Sequence, residues 1–167
     1  MTRYSFQPLH ERDLDLVVRW LARPHVARWW PDAKRQEEQI RRWREEPWTE
    51  PYLILLDCRP IGFIQTYDPE PAPGGDGYGQ PPGTRGIDLF IGGADLIGLG
   101  HGSAVIRQMA EQLLAETGVE QVIGDPAPDN RASIRAFEKA GFRDVGEIDL
   151  PDGPARLMVL SGLTGSG

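Results

Sequence analysis

Hydrophobic residues repeat along this chain at helical and at strand spacings in turn. Leu14, Val17, Val18 and Leu21 follow the i, i+3, i+4, i+7 spacing of an amphipathic helix, which Pro24 ends. Three later helices are predicted by similar signals: one that Asp32 caps and that runs to about Glu46, one with Val105, Ile106, Met109, Leu113 and Leu114 on one face, and one that begins at Asn130 and ends at Gly141.

Runs of β-favouring residues predict seven strands around these helices. They lie at 3–8, 52–56, 61–67, 85–91, 121–124, 144–150 and 155–160, with hairpin turns at 57–60 and 151–154. Interleaved strands and helices predict an α/β fold around a mixed sheet. We expect one domain over residues 1–160 and a flexible tail at 161–167.

Composition narrows the classes of function. The formal charge of −7 disfavours binding to a nucleic-acid backbone and leaves room for a cationic ligand. No apolar run approaches the roughly 20 residues that a membrane span needs. Cys58 is the only cysteine, so no internal disulfide forms. We therefore expect a soluble cytoplasmic protein, and both a monomer and a homodimer stay open.

A loop at 68–84 differs in composition from the rest of the chain. It is rich in proline and glycine and carries Asp68, Glu70 and Asp76. A structureless segment this long inside a compact domain is typical of a lid or a binding loop. A disordered insertion is the alternative.

The segment Ile97–Ser103 carries three alternating glycines between a predicted strand and a predicted helix. Glycine lets the backbone approach a ligand, and the amides at a helix start attract a pyrophosphate. A plain strand-to-helix turn explains the same glycines. A dinucleotide-binding fold is less favoured, because the surrounding βαβ repeat and its ribose-binding acid are missing.

Asp88 is the strongest candidate for acid–base chemistry. It interrupts the apolar run at 87–91, where a charge is costly unless it is paired or faces a cleft. A carboxylate there can take a proton from an ammonium group, directly or through water. A solvent-facing residue or an ion pair with Arg85 is the alternative.

Further residues are candidates for contact with a cationic, sugar-like acceptor. Asp76 and Asp125 would add charge-assisted hydrogen bonds, although each also suits a turn or a strand end. Trp29 and Trp30 would form an aromatic wall, with packing of at least one in the core as the alternative, and Tyr78 is a weaker case of the same kind. The histidines have no partners at metal-ligand spacing, so no metal is expected.

Two downstream motifs make the chain similar to the GNAT acetyltransferase superfamily. Residues 125–133 read Asp-Pro-Ala-Pro-Asp-Asn-Arg-Ala-Ser, and residues 137–142 read Phe-Glu-Lys-Ala-Gly-Phe. The resemblance implies a mostly antiparallel sheet flanked by helices, with acetyl-CoA as co-substrate. It implies that Leu99, Gly100, His101, Gly102 and Ser103 hold the pyrophosphate, that the Ile91 amide polarises the thioester, and that Asn130 and position 137 flank the CoA arm.

The chain departs from the superfamily pattern at two positions. Ile97 stands where members often have Gln or Arg, so phosphate binding would depend on backbone amides. Phe137 stands where many have a tyrosine that protonates the leaving thiolate.

Within the superfamily the chain resembles the aminoglycoside 6′-N-acetyltransferases. The similarity rests on His25, Trp29-Trp30, Pro-Ile-Gly-Phe-Ile-Gln-Thr-Tyr at 60–67, Gly-Asp-Gly-Tyr at 75–78, Arg-Gly-Ile-Asp at 85–88 and Asp-Pro-Ala-Pro at 125–128. It implies acetylation of an aminoglycoside amine, with Asp88 as general base or cation anchor, and antibiotic resistance. An enzyme that acetylates a polyamine, a siderophore precursor or a protein N-terminus is one alternative, and a non-catalytic acyl-CoA-binding module is another.

Overall fold

A computed structural model of the protein describes residues 4–69 and 79–162. The helices are α1 (Leu14–Leu21), α2 (Pro24–Ala27), α3 (Ala33–Trp43), α4 (His101–Leu114) and α5 (Arg131–Lys139). The strands are β1 (Tyr4–Pro8), β2 (Thr49–Leu56), β3 (Arg59–Tyr67), β4 (Thr84–Ile91), β5 (Gln121–Gly124), β6 (Arg143–Leu150) and β7 (Gly153–Ser161). Each helix and strand that the sequence predicts is present.

Within the described residues, the seven strands form one sheet in the order β1-β2-β3-β4-β5-β7-β6. β4 and β5 are parallel, whereas β1 with β2, β5 with β7 and β6 with β7 are antiparallel. The expected α/β fold with a mixed, mostly antiparallel sheet flanked by helices is confirmed. None of the helices in the two described ranges is long and apolar enough to cross a membrane.

Contacts between residues divide the chain into two compact units. The first contains the described residues up to Thr66 together with Leu89–His101. Its core packs α1 and α3 against apolar residues of the strands, and Trp20, Leu21, Ile40, Phe63 and Phe90 are among the buried side chains. The apolar stripe predicted for α1 is buried at Leu14, Val17 and Leu21, whereas Val18 is half-buried. In α3, Ile40 is fully buried.

The second unit contains the described residues of Tyr67–Asp88 and those from Gly102 onward. One face of α4 is buried through Val105, Ile106, Met109, Ala110 and Leu113. The ring of Phe137 in α5 lies directly on the backbone of β5, so close that a Cβ at Gly124 would overlap the ring. Glycine at 124 is therefore needed for helix and sheet to approach this closely.

Local signals in the sequence explain the ends of several elements. The Asp32 carboxylate accepts a hydrogen bond from the Arg35 amide at 3.2 Å and caps α3. Gly141, at φ +101°, ends α5, and the Phe142 amide donates to the Phe137 carbonyl at 3.0 Å. Asp57 and Cys58 both have positive φ and form the two-residue turn between β2 and β3.

The structure corrects some of the predicted boundaries. α3 ends at Trp43 rather than near Glu46, because the Glu45 amide bonds to the Arg42 carbonyl in a tighter turn. Pro24 ends α1 but also begins α2, which the sequence reasoning missed. Ser161, predicted to belong to the tail, is the last residue of β7. Residues 163–167 lie outside the described residues.

Gly124→Ala should destabilise the protein by about 1–3 kcal/mol, the usual cost of forcing extra volume into a packed core. The reason is the overlap of the new Cβ with the Phe137 ring. Urea unfolding measures the loss. Adding Phe137→Leu should recover part of it, because the smaller side chain frees space. Independent, additive effects of the two substitutions would contradict this explanation.

Candidate active site

The candidate active site starts from the point at which β4 and β5 stop pairing. Their parallel ladder has three residue pairs and ends at Gly86 with Ile123. β4 continues to Ile91, whereas β5 ends at Gly124. The ladder with β5 therefore covers only the first part of β4.

Asp88 and Asp125 each lie two residues beyond that last pair. In parallel strands an equal offset brings residues to corresponding positions on the same face. The structure agrees, because the two carboxyl groups form a hydrogen bond with each other. Both residues are half-buried. The sequence predicted each acid separately but did not predict that they pair.

This pairing changes the proton affinity of Asp125. Burial raises the pKa of Asp125 well above its ordinary value, and the neighbouring Asp88 charge and the hydrogen bond to Asp88 raise it further. Asp125 therefore keeps its proton to higher pH than an ordinary aspartate does. While it does so, the pair carries one negative charge instead of two and can accept one more proton.

The glycine segment before α4 adopts a conformation that other residues rarely take. Gly98 and Gly100 have φ values of +79° and +87°, and no atom lies within 4 Å of a Cβ built on either of them. Leu99 between them is 64% exposed. α4 then begins at His101 without an acidic residue in its first turn. The dipole of α4 and the amide groups at a helix start therefore favour an anion at this end.

The side chain of His101 has its own partner. Its Nδ1 lies 2.6 Å from the Tyr4 hydroxyl, and the two rings meet edge to face. This leaves the predicted role of the His101 backbone amide compatible with the structure. Ser103, in the same helical turn, is half-buried.

Two basic side chains contact the end of β4. The Nε2 atom of His25 donates to the Ile91 carbonyl at 3.0 Å, since a carbonyl oxygen can only accept. Arg23 donates to the Gly92 carbonyl at 2.8 Å. The sequence reasoning named His25 only as part of a resemblance and missed Arg23. No local pattern signals a contact between residues more than 60 positions apart.

Asn130 and Phe137 have clear structural roles. The Asn130 side chain accepts a hydrogen bond from the Ser133 amide at 3.2 Å and caps α5. Phe137 is 3% exposed and its ring meets that of Phe142 with 5.0 Å between centroids. Their predicted contacts with the CoA arm stay predictions.

The two tryptophans predicted to contact the acceptor, Trp29 and Trp30, differ in their packing. Trp30 meets the rings of Phe63 and Phe90 edge to face, at 6.0 and 5.3 Å between centroids, so it packs on the core of the first unit. Trp29 is half-buried, with the Arg28 guanidinium 4.8 Å from the centre of its ring.

Two of the predicted acceptor-binding residues, Asp76 and Tyr78, lie outside the described residues. Among the residues that are described, no three His, Cys, Asp or Glu side chains are grouped to hold a metal ion.

The chain is similar in sequence and in structure to several known proteins. The chain is 35% identical over 159 residues to an aminoglycoside N(6′)-acetyltransferase type 1 of Klebsiella pneumoniae, which covers 89% of this chain and 78% of the relative. A solved structure of AAC(6′)-Ib in complex with paromomycin and acetyl-CoA has a TM-score of 0.87 at 32% identity and covers 96% of this chain and 94% of that one. AAC(6′)-Ib with coenzyme A and kanamycin gives 0.86 at 33% identity, with coverage of 95% and 94%.

The family model described as an acetyltransferase (GNAT) domain matches residues 10–150. This range includes the parted strands, the paired aspartates and the glycine segment. The chain therefore belongs to the GNAT acetyltransferase family.

Proposed function

We propose that this protein transfers the acetyl group of acetyl-CoA to the 6′-amino group of an aminoglycoside and so confers resistance to it. The pairing of Asp88 with Asp125 where β4 leaves β5 is the observation that carries the proposal. It supplies a half-buried site for a cation that must lose a proton. The relatives and solved structures of aminoglycoside 6′-N-acetyltransferases give the substrate class.

Asp88 acts as the general base. An ammonium group has no lone pair, so the amine must lose a proton before or while its nitrogen attacks the thioester carbon. The ammonium group passes one proton to Asp88, directly or through water, and the neutral nitrogen attacks. The new C–N bond forms, the C–S bond breaks and CoA departs as the thiolate, while the nitrogen gives up its second proton to water as it becomes an amide. Asp125, which holds its own proton, donates a hydrogen bond to Asp88 and leaves the negative charge there.

The main chain provides the groups that hold acetyl-CoA. Amides from Leu99 to Ser103 bind the pyrophosphate. The positive φ of Gly98 and Gly100 and the start of α4 without an acidic residue support this role. The Ile91 amide donates to the thioester carbonyl and stabilises its developing negative charge. Asn130 and Phe137 flank the CoA arm.

The leaving thiolate needs no acid from this chain. Phe137 has no hydroxyl and is buried, so it cannot donate a proton. A thiol with an acidity near that of cysteine, whose pKa is about 8.5, leaves tolerably as its anion. The thiolate therefore departs unassisted or takes a proton from water.

The acceptor is a polycation. The overall charge of −7 and the acids Asp76, Asp88 and Asp125 attract it, while Trp29, Trp30 and Tyr78 provide aromatic surface for sugar rings.

Release of CoA thiol tests the proposed substrate directly. An aminoglycoside with a 6′-amine should support release, whereas its counterpart with a 6′-hydroxyl, spermidine and a peptide amino terminus should not. Release with spermidine or the peptide alone would assign a different acceptor. Calorimetric binding of acetyl-CoA without release for any amine would indicate a non-catalytic acyl-CoA-binding module.

Asp88→Asn should lower turnover by about two orders of magnitude or more, because an amide cannot accept the amine proton. The thiol-release assay at saturating substrates measures this loss. Asp149→Asn makes the same charge change at an exposed residue of β6 and should leave turnover unchanged. Near-normal turnover in the Asp88 variant would remove that residue from the role of base.

The stability advantage of Asp125→Asn over the wild type should grow as the pH rises. The folded protein holds a proton on Asp125 above the ordinary aspartate pKa, whereas the unfolded chain releases it. Wild-type stability therefore falls between the ordinary pKa and the raised folded pKa, and an amide removes this fall. Urea unfolding of both proteins from pH 4 to pH 8 measures the difference. A constant difference across that range would contradict the raised pKa.

Gly100→Ala should raise the KM for acetyl-CoA, because alanine disfavours the positive φ that directs the loop amides. Gly118→Ala is a matched control. Both glycines have φ of +87° and no atom within 4 Å of an added Cβ. Both variants should lose about 1–2 kcal/mol of stability, measured by urea unfolding. Equal KM values in the two variants would show that the loop conformation does not serve the cofactor.

A further inference from the structure

We propose that His25 and Arg23 are positioning residues that hold the end of β4 in the geometry needed to polarise the acetyl-CoA thioester. The inference rests on the proposed function, in which the Ile91 amide donates to the thioester carbonyl. Neither the paired acids nor the glycine segment holds the end of β4, and the inference assigns that role to these two basic side chains.

The peptide group between Ile91 and Gly92 is fixed at both of its ends. Its carbonyl oxygen accepts from His25 Nε2 at 3.0 Å. Its N–H, on Gly92, donates to the Ile61 carbonyl at 2.7 Å. Because a trans peptide is planar, two bonds at opposite ends leave it little freedom to rotate.

That peptide adjoins the one that carries the polarising donor. The Gly92 amide faces β3, and successive residues of a strand direct their backbone groups to opposite edges. The N–H and carbonyl of Ile91 therefore face the other edge of β4. His25 donates a hydrogen bond to the Ile91 carbonyl on this edge. By fixing that carbonyl it also fixes the direction of the Ile91 N–H, which is the proposed donor to the thioester.

Arg23 fixes the next peptide in the chain. Its guanidinium donates to the Gly92 carbonyl at 2.8 Å. A Cβ at Gly92 would overlap the ring of Trp20, so the backbone at this position lies directly on that ring. Two consecutive carbonyls of the strand end are thus held by side chains from one short segment.

The order Arg23-Pro24-His25 explains how one segment supplies both donors. Arg23 has an extended backbone, at φ −75° and ψ 137°, and precedes α2, whose first residue is Pro24. Proline has a fixed φ and no amide hydrogen, so it suits the first helical position without leaving a donor unpaired. His25 then follows within the same turn.

His25→Leu and His25→Gln separate a positioning role from simple packing. Leucine removes the donor, whereas glutamine keeps an N–H donor on a side chain of similar reach. We expect kcat to fall about tenfold in the leucine variant, since a small displacement of a catalytic group costs this much or more. The glutamine variant should stay within about threefold of the wild type.

Two controls and one further test variant accompany these variants. His10→Leu removes an exposed histidine whose Nδ1 atom lies 3.7 Å from a carboxylate oxygen of Asp13. This variant should keep the kcat of the wild type. Arg23→Gln should lower kcat, whereas Arg19→Gln, with the same charge change on an exposed residue of α1, should not. Equal kcat values for the leucine and glutamine variants, or a loss that follows their thermal stability, would overturn the proposal.

Hydrogen exchange of the Gly92 amide tests the same clamp without turnover. Exchange should be faster than wild type in His25→Leu and close to wild type in His25→Gln, because only the first releases the Ile91–Gly92 peptide. Unchanged exchange in His25→Leu would overturn the clamp. If the wild type releases no CoA with any aminoglycoside, the proposed function fails, while the exchange rates still decide whether His25 fixes the strand end.

Discussion

The early end of the ladder between β4 and β5 is the constraint on which the rest of the site depends. A longer ladder would continue the pairing of β4 with β5 beyond Gly86. Three residue pairs instead join the strands, and two acids follow at equal offsets beyond the last pair. Their carboxyl groups meet because parallel register carries equal offsets to neighbouring positions. One feature of backbone pairing thus determines where the two acids meet.

The acids are chemically useful because they are neighbours. Here burial and the Asp88 charge raise the pKa of Asp125, so one proton is retained and one charge remains. Under the proposed function Asp125 is therefore the hydrogen-bond donor and Asp88 the base. The Phe137 ring and Gly124 beside this strand contribute packing rather than chemistry.

Most of the fold follows from the sequence because its signals are local. The Asp32 cap, the Gly141 terminus of α5 and the apolar stripe of α1 each depend on residues within one or two turns. The hydrogen bond between Asp88 and Asp125 depends on strand register, which no local pattern encodes. The same holds for His25 and Arg23, whose partners lie 66 and 69 positions away. The sequence also leaves the role of Trp30 open. An aromatic residue at a turn can line a ligand site or pack in the core, and only its contact with Phe90 shows the packing.

The proposed binding of acetyl-CoA through main-chain amides makes cofactor binding depend on the conformation of the backbone. Ile97 and Leu99 have no side-chain donor for a phosphate, so the directions of the amides around them must be correct. Positive φ at Gly98 and Gly100 sets those directions at one end of the segment. Hydrogen bonds from Arg23 and His25 to the Gly92 and Ile91 carbonyls hold the backbone at the end of β4. Under the proposed function these two side chains influence the rate without donating to acetyl-CoA themselves, because the backbone that they hold carries the Ile91 amide. That proposal divides the work between acids for the amine, backbone for the cofactor, and basic residues for the backbone.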